Sequence, residues 1–334
     1  MNTKRNVTIY DIAKLSGFSP KTVSRVVNGE QNVKKSTFEK VTKVINELNY
    51  IPNTYARSLI NKTKNNVLIS IQSTEQFPIK WIHILLEKIT IECRKHGLNI
   101  MVEYHEPTES LENSILSSSS SFIGAAVIFY EAINDKRIRF LKEKEIPFIV
   151  FGKSSMADVL YVSNNDYEAL FNLGKYLVER KLKKLVMLIA LETLVNKDRV
   201  RGVQDAFRAE GLDVDNIEVV YNIVTIEDTY RYCKNMFTKF NLPDAIFVSG
   251  DEKVIGLNRA FFELDIKIPE DVSVIGFDNI PFAEYYSPSL TTIGQDYVGL
   301  SKEIVDRLIH LIAGNTELSS IELSTELIIR ESVK

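Results

Sequence analysis

Cysteine is almost missing from this sequence: Cys93 and Cys233 are the only two in 334 residues, and they are not spaced as a ligand pair. A disulfide scaffold and a cysteine-based zinc site are thereby excluded, which fits a reducing cytoplasm. Long apolar runs are missing as well. Ala125–Tyr130 and Ile146–Gly152 fall far short of the ~20 residues that a membrane span needs. The first ten residues are charged and carry no apolar core, so no secretory leader and no membrane partner are expected. His83, His96, His105 and His310 show no paired spacing, so no metal site is expected. Nucleophile elbows, phosphate-binding loops and dinucleotide motifs are absent too. These absences point away from an enzyme, and no cofactor is expected. What remains is ordinary globular protein, 45% apolar and 25% charged, with length for two or three folded units at ~150 residues each.

The net charge of −3 hides an uneven distribution. Residues 1–62 hold 11 Lys and Arg against Asp11, Glu30, Glu39 and Glu47, a balance of +7 that leaves −10 for the rest. A basic head on an acidic body implies that the head meets a polyanion and the body does not.

Capping and periodicity predict three short helices in the head. Thr8 with Asp11 forms a capping signal, and Ile9, Ile12 and Ala13 share a face before Gly17 ends the helix. Ser19 caps a second helix with Pro20 at its first position, Val23, Val26 and Val27 facing inward, and Asn28-Gly29 at its end. Ser36 and Glu39 suggest a capping box for a third, with Val41, Val44, Ile45 and Leu48 along its stripe. Helix, tight turn, helix and a supporting helix is the helix-turn-helix arrangement. The polar outer face of the second helix (Lys21, Thr22, Ser24, Arg25, Asn28) favours DNA over a protein partner.

The segments Val7-Thr8-Ile9-Tyr10-Asp11-Ile12-Ala13, Ser19–Asn28 and Leu48-Asn49-Tyr50-Ile51-Pro52-Asn53 closely resemble the headpiece of the LacI/GalR family of bacterial transcription regulators. The resemblance implies that Pro20, Lys21 and Arg25 face the bases of a double-stranded operator. It places Thr8, Tyr10, Ser19, Thr22, Ser24 and Asn28 against the backbone, with Tyr50 and Asn53 in the same DNA-binding set. Pro20 has no side-chain donor, so Lys21 and Arg25 carry the direct readout, with guanine O6 and N7 as natural targets. Residues 53–60 resemble the family's hinge helix. There Leu59 would wedge into the minor groove with Ala56 and Arg57 beside it, in a segment too short to be a stable helix alone. A flexible linker is the alternative for this stretch.

Beyond residue 64, β-branched runs alternate with helical stretches in two series, which predicts parallel βαβ units and two similar α/β subdomains. Ligands in such sheets bind at the carboxyl ends of the strands. The segment Val272–Asn279, followed by Ser287–Ile293, extends the resemblance to the family's periplasmic-binding-protein-like core. The expected organisation is a headpiece (1–52), a hinge and linker (53–64) and a core (65–334). Subdomain 1 would take 65–161 and 291–320, and subdomain 2 would take 162–290 and 321–334. Crossings are expected near residues 162, 290 and 321, with a final strand pair in subdomain 2. The family's optional leucine-rich tetramer helix is not seen before Lys334, so the resemblance implies a homodimer.

The resemblance also marks Arg199 and Asp278 as effector residues, and Ser73, Lys153 and Asp251 as further cleft positions. Interdomain ion pairing is the alternative role for Arg199 and Asp278. The resemblance implies a sugar or sugar phosphate as effector. Two departures from the family pattern, Lys153 in place of an acid and Asn222-Ile223-Val224 in place of a stacking aromatic, push the pocket toward anionic or phosphorylated ligands or away from close analogues of the usual sugars. A core that docks a protein corepressor instead is the competing reading. Trp81 is expected at the dimer interface rather than on a ligand, and Cys93 in the core.

Overall fold

Thr8 closes the capping box as the sequence predicts: its hydroxyl accepts from the Asp11 N–H, while Asp11 Oδ2 accepts the Thr8 N–H at 2.8 Å. Helix α1 (Ile9–Ser16) ends at Gly17 in the left-handed region, with φ at 74°. Ser19 Oγ accepts the Thr22 N–H at 3.1 Å at the start of α2 (Pro20–Val27). Helix α3 (Lys35–Glu47) starts two residues earlier than its capping signal suggests, with Lys34 instead of Ser36 at the N-cap. Ser36 therefore lies inside the first turn, and no side chain caps this helix. Ile12, Val23 and Val41 are fully buried between the three helices, each contributing roughly 1.5–3 kcal/mol.

The structure is a computed structural model that describes residues 7–27, 30, 32–48, 50, 65–72, 80–106 and 109–334. The hinge residues Asn53, Ala56, Arg57 and Leu59, and also Asn28 and Ser73, lie outside the described residues. The chain divides into two compact units, Met1–Thr63 and Lys64–Lys334.

The larger unit runs as β1 (Asn66–Gln72), α4 (Lys80–Lys95), β2 (Asn99–His105), α5 (Ile115–Ser118), β3 (Ile123–Phe129), α6 (Lys136–Glu143), β4 (Phe148–Phe151) and β5 (Tyr161–Asn164). It continues as α7 (Asp166–Glu179), β6 (Leu185–Leu188), α8 (Leu194–Ala209), β7 (Ile217–Val220), α9 (Ile226–Met236), β8 (Ala245–Val248), α10 (Val254–Leu264), β9 (Ser273–Asp278) and β10 (Thr291–Gly294). Helix α11 (Tyr297–Ile312), β11 (Ile321–Leu323) and β12 (Glu326–Ile328) complete it. Two six-stranded sheets form, ordered β11-β5-β4-β3-β1-β2 and β12-β10-β9-β8-β6-β7. Every pairing is parallel except β10 with β12. Strands covered by helices on both faces read as continuous apolar runs, which is why β3 is buried at every position.

Three details correct the sequence reading. The chain crosses between sheets after β5, after β10 and between β11 and β12, each a few residues downstream of the expected point. Backbone pairing decides this, because Thr291–Gly294 register with β9 and Tyr161–Asn164 with β4 and β11. The final strands do not finish one subdomain: β11 joins the first sheet and β12 the second. Helix α8 is capped by Thr193, so Arg199 sits in its second turn instead of at its start.

Helices α7 and α8 cross at Gly202, where an added Cβ would lie 2.3 Å from the Tyr167 carbonyl oxygen. Gly202→Ala should force the helices apart and cost about 1–3 kcal/mol in a urea titration. An unchanged midpoint would show that this crossing is slack.

Candidate functional site

In the headpiece, α2 turns Val23 and Val26 into the core and leaves Pro20, Lys21 and Arg25 exposed. Ser19 and Thr22 hydroxyls lie 2.9 Å apart at its N-terminus, where aligned N–H groups favour an anion. Tyr10 is 71% exposed on α1. Arg25 pairs with Glu30 at 3.6 Å with both side chains about half exposed, a contact weak enough for a phosphate or base to displace. Tyr50 packs partly buried against the small core. The described residues thus carry a compact row of cations and hydroxyls on the outer side of one helix.

The larger unit holds a cavity of about 460 Å³ at the carboxyl ends of the strands of both sheets. One wall is aromatic. Phe129 and Phe151 stack with centroids 4.9 Å apart, and Trp81 lies 5.7 Å from Phe151 and edge-on to Tyr130 at 6.2 Å. Turns that follow the strands build the rest, and several adopt strained backbone. Tyr130, Asp278 and Asn279 have φ of 54°, 107° and 49°, conformations that cost energy and concentrate at ligand sites. Gly250 has φ of 129°, and a Cβ there would press on Lys253 Cε at 3.3 Å.

The polar wall is built on Arg199, which donates through Nε to Asp166 Oδ1 at 2.6 Å and through Nη1 to Ser249 at 3.0 Å. Its guanidinium carbon stands 3.6 Å over the Phe277 ring centroid. Burial raises Asp166 above the ordinary carboxylate value, with the Arg199 charge opposing. Asp278 is pushed up to about 7 by burial, against Arg199 and a hydrogen bond from Gln295. Lys253 is pushed down to about 7 by burial, against the Asp278 charge, and its Nζ donates to the Ile223 carbonyl at 2.8 Å. Among the described residues, Asn164 Oδ1, Asp166 Oδ2 and Glu131 Oε2 are buried acceptors without a hydrogen-bond partner, and all three residues line the cavity. Such groups are costly in a finished interior and ordinary in a site that awaits a ligand.

Among the described residues no group of His, Cys, Asp or Glu is placed to hold a metal ion, and no helix is long and apolar enough to cross a membrane.

Two family models match the chain: "Bacterial regulatory proteins, lacI family" over residues 8–53, and "Periplasmic binding protein-like domain" over 175–333. The HTH-type transcriptional repressor PurR of Haemophilus influenzae is 30% identical over 98% of both chains, and that of Pasteurella multocida is also 30% identical. The chain belongs to the LacI family. It is a DNA-binding transcriptional repressor rather than an enzyme. Among solved structures, the Lac repressor dimer bound to operator and the anti-inducer ONPF has a TM-score of 0.85 at 24% identity, covering 98% of this chain and 99% of that one. The regulator CelR in complex with cellobiose follows at 0.73 and 21%, covering 98% and 100%. These likenesses establish the shared fold of this LacI-family chain.

Of the cleft residues expected from the sequence, Arg199, Asp278 and Lys153 line the cavity and Asp251 does not. Asp251 is fully buried beneath it, accepting the Ile280 N–H at 3.0 Å and the Thr292 hydroxyl at 2.7 Å, which pins the turn carrying Asp278. Lys153 is not free to attract an anion. It pairs with Asp198 at 2.5 Å and Glu322 at 2.9 Å, and although burial pulls it down, those bonds carry it above the ordinary lysine value. Trp81 lines the cavity within the aromatic wall, in place of the expected interface position. Cys93 and Cys233 are buried, and burial raises their thiols to about 11 and 12, as core residues.

Sequence reasoning missed Asp166, Gln295 and the aromatic wall. One signal was available: Tyr130-Glu131 directly follow the buried run Ile123–Phe129, at the carboxyl end of a strand, where α/β sheets place ligands.

Proposed function

We propose that the chain represses transcription as a cytoplasmic homodimer on a pseudo-palindromic operator, under control of a small neutral ligand in the cleft, with carbohydrate the favoured class. The carrying observation is the Trp81, Phe129 and Phe151 wall facing Asp166, Arg199 and Asp278 across one cavity. An aromatic face suits the C–H side of a sugar ring, while carboxylates and a guanidinium suit its hydroxyls. Charge argues against the sugar phosphates that Lys153 suggested. Lys153, Lys197 and Arg199 each pair with an acid, and Lys253 is spent on a carbonyl. The well-formed cavity also weighs against a core that only docks a protein. Regulators of the same fold include CelR with cellobiose and an Enterococcus faecium regulator with bound ribose. Ile226, Ile255 and Phe262 leave apolar surface on the neighbouring α9 and α10, a face that a second copy would cover.

Calorimetry against neutral sugars, their phosphates and nucleobases tests this reading. A nucleobase would stack on the same wall and is the competing ligand class. Binding of phosphates alone would overturn the charge argument.

Two results are expected. Lys21→Ala should cost about 1–3 kcal/mol on the specific operator and relax its base preference. An equal loss on random DNA would reduce Lys21 to a phosphate contact. Ligand binding to ionised Asp278 should weaken as pH falls through about 7, by up to about tenfold per unit once the free protein must first lose a proton. A flat profile from pH 5.5 to 8 would remove Asp278 from the contact.

A further inference from the structure

The cleft acceptors are linked to Asp278 by a chain of amides that fixes their polarity. An ionised carboxylate can only accept, so Gln295 must offer Nε2 to Asp278 Oδ1, at 2.6 Å. Its Oε1 is then the acceptor for Asn164 Nδ2, at 2.8 Å. That leaves Asn164 Oδ1 as a buried acceptor without a partner among the described residues, on a side chain that lines the cavity, two residues from the equally unpartnered Asp166 Oδ2. Asn164 is 5% exposed and Asp166 1%.

We propose that this side of the cleft selects ligands presenting a hydroxyl or amino edge, rejecting ethers, carbonyls and phosphate oxygens, and that Gln295 is the positioning residue that sets the preference. The inference deepens the proposed ligand reading and rests on it for the cleft being a binding site. It also makes the preference reversible. A proton on Asp278 Oδ1, the oxygen that faces Gln295, makes that oxygen a donor to Gln295 Oε1; Gln295 Nε2 then donates to Asn164 Oδ1, and Asn164 Nδ2 takes the place that Oδ1 held. The groups facing Asp278 are Arg199 on α8, Asp251, Glu252 and Lys253 after β8, Tyr130 after β3 and Tyr297 on α11. Burial in this setting brings Asp278 to about 7, within reach of ordinary buffers.

The test needs no knowledge of the natural ligand. Crystals of the full chain are soaked at pH 8 and pH 5.5 in ethylene glycol, which donates and accepts, or in dimethyl sulfoxide, which only accepts. At pH 8 a glycol hydroxyl should lie within hydrogen-bond distance of Asn164 Oδ1 or Asp166 Oδ2, with the sulfoxide oxygen away from both. At pH 5.5 the sulfoxide oxygen should move onto Asn164 Nδ2. Gln295→Leu should abolish this pH-dependent move, because Asn164 is then disconnected from Asp278. A sulfoxide oxygen on Asn164 at pH 8, identical placements at both pH values, or a cleft that admits neither solvent would overturn the relay. A failed carbohydrate panel would leave these placements unaffected, so the two proposals fail separately.

Discussion

Arg199→Met is expected to abolish the response to ligand while leaving operator binding intact below the melting temperature, and to lower stability by about 3–5 kcal/mol. The arginine holds Asp166 at 2.6 Å, Ser249 at 3.0 Å and Asn196 at 3.3 Å, with only 11% of its side chain exposed. Methionine fills similar volume but leaves Asp166, 1% exposed, as a buried charge without a counter-ion. That carboxyl would rise further and take a proton. The folded state then binds more protons than the unfolded chain above the ordinary carboxylate range, so stability falls as pH rises. Urea titrations at pH 5 and pH 8 should therefore show the larger loss at pH 8. Adding Asp166→Leu should recover most of the stability without restoring the ligand response. Equal losses at both pH values would show that Asp166 is not the stranded charge. Operator binding is spared because the headpiece is a separate unit with its own core.

Arg137→Met should produce the other large effect, about 3–5 kcal/mol, read as a melting-temperature drop of about 10 °C or more. Arg137 is 1% exposed and donates to Asp135 Oδ1 at 3.0 Å and Oδ2 at 2.7 Å, and to the carbonyls of Ser70, Phe129 and Tyr130 at 3.0, 3.2 and 3.1 Å. Burial pushes Asp135 up, but these bonds and the Arg137 charge hold it below its ordinary value. Ser70 passes the network to Glu103 at 2.9 Å, and Glu103 in turn accepts the Ile115 N–H at 2.8 Å. Arg137→Lys should rescue little, because a point charge cannot span a carboxylate and three carbonyls at once. The loss should reach the cleft too. The guanidinium holds the backbone where Tyr130 turns through a φ of 54° onto the aromatic wall, so weakened ligand binding is expected at temperatures where the variant stays folded. Ligand affinity equal to that of the parent chain would detach this network from the site.

The parts of the molecule legible from sequence are those written in local chemistry. The Thr8–Asp11 box, Gly17 and Ser19-Pro20 specify two helices within a few residues each, and Val23 and Val26 set which face of α2 is inward. Strands such as β3 and β9 were equally plain, because burial on both faces demands unbroken apolar runs, whereas the short β5 and β10, Tyr-Val-Ser-Asn and Thr-Thr-Ile-Gly, carry no such run and emerged only from their pairing.

The sequence alone thus determined the headpiece, its exposed Lys21 and Arg25, and an α/β body of two parallel sheets, since caps, periodicity and apolar runs act over a few residues. Tertiary structure alone decided the polarity and charge of the cleft. Lys153 reads as a free cation in the chain, yet Asp198 and Glu322, 45 and 169 positions away, neutralise it after folding. Asp251 reads as a ligand residue, yet packing places it under the floor as a brace. Trp81 reads as an interface residue until Phe129 and Phe151 are brought beside it. Electrostatic and stacking partners are chosen by distance in space, and neither spacing nor composition along the chain records that distance.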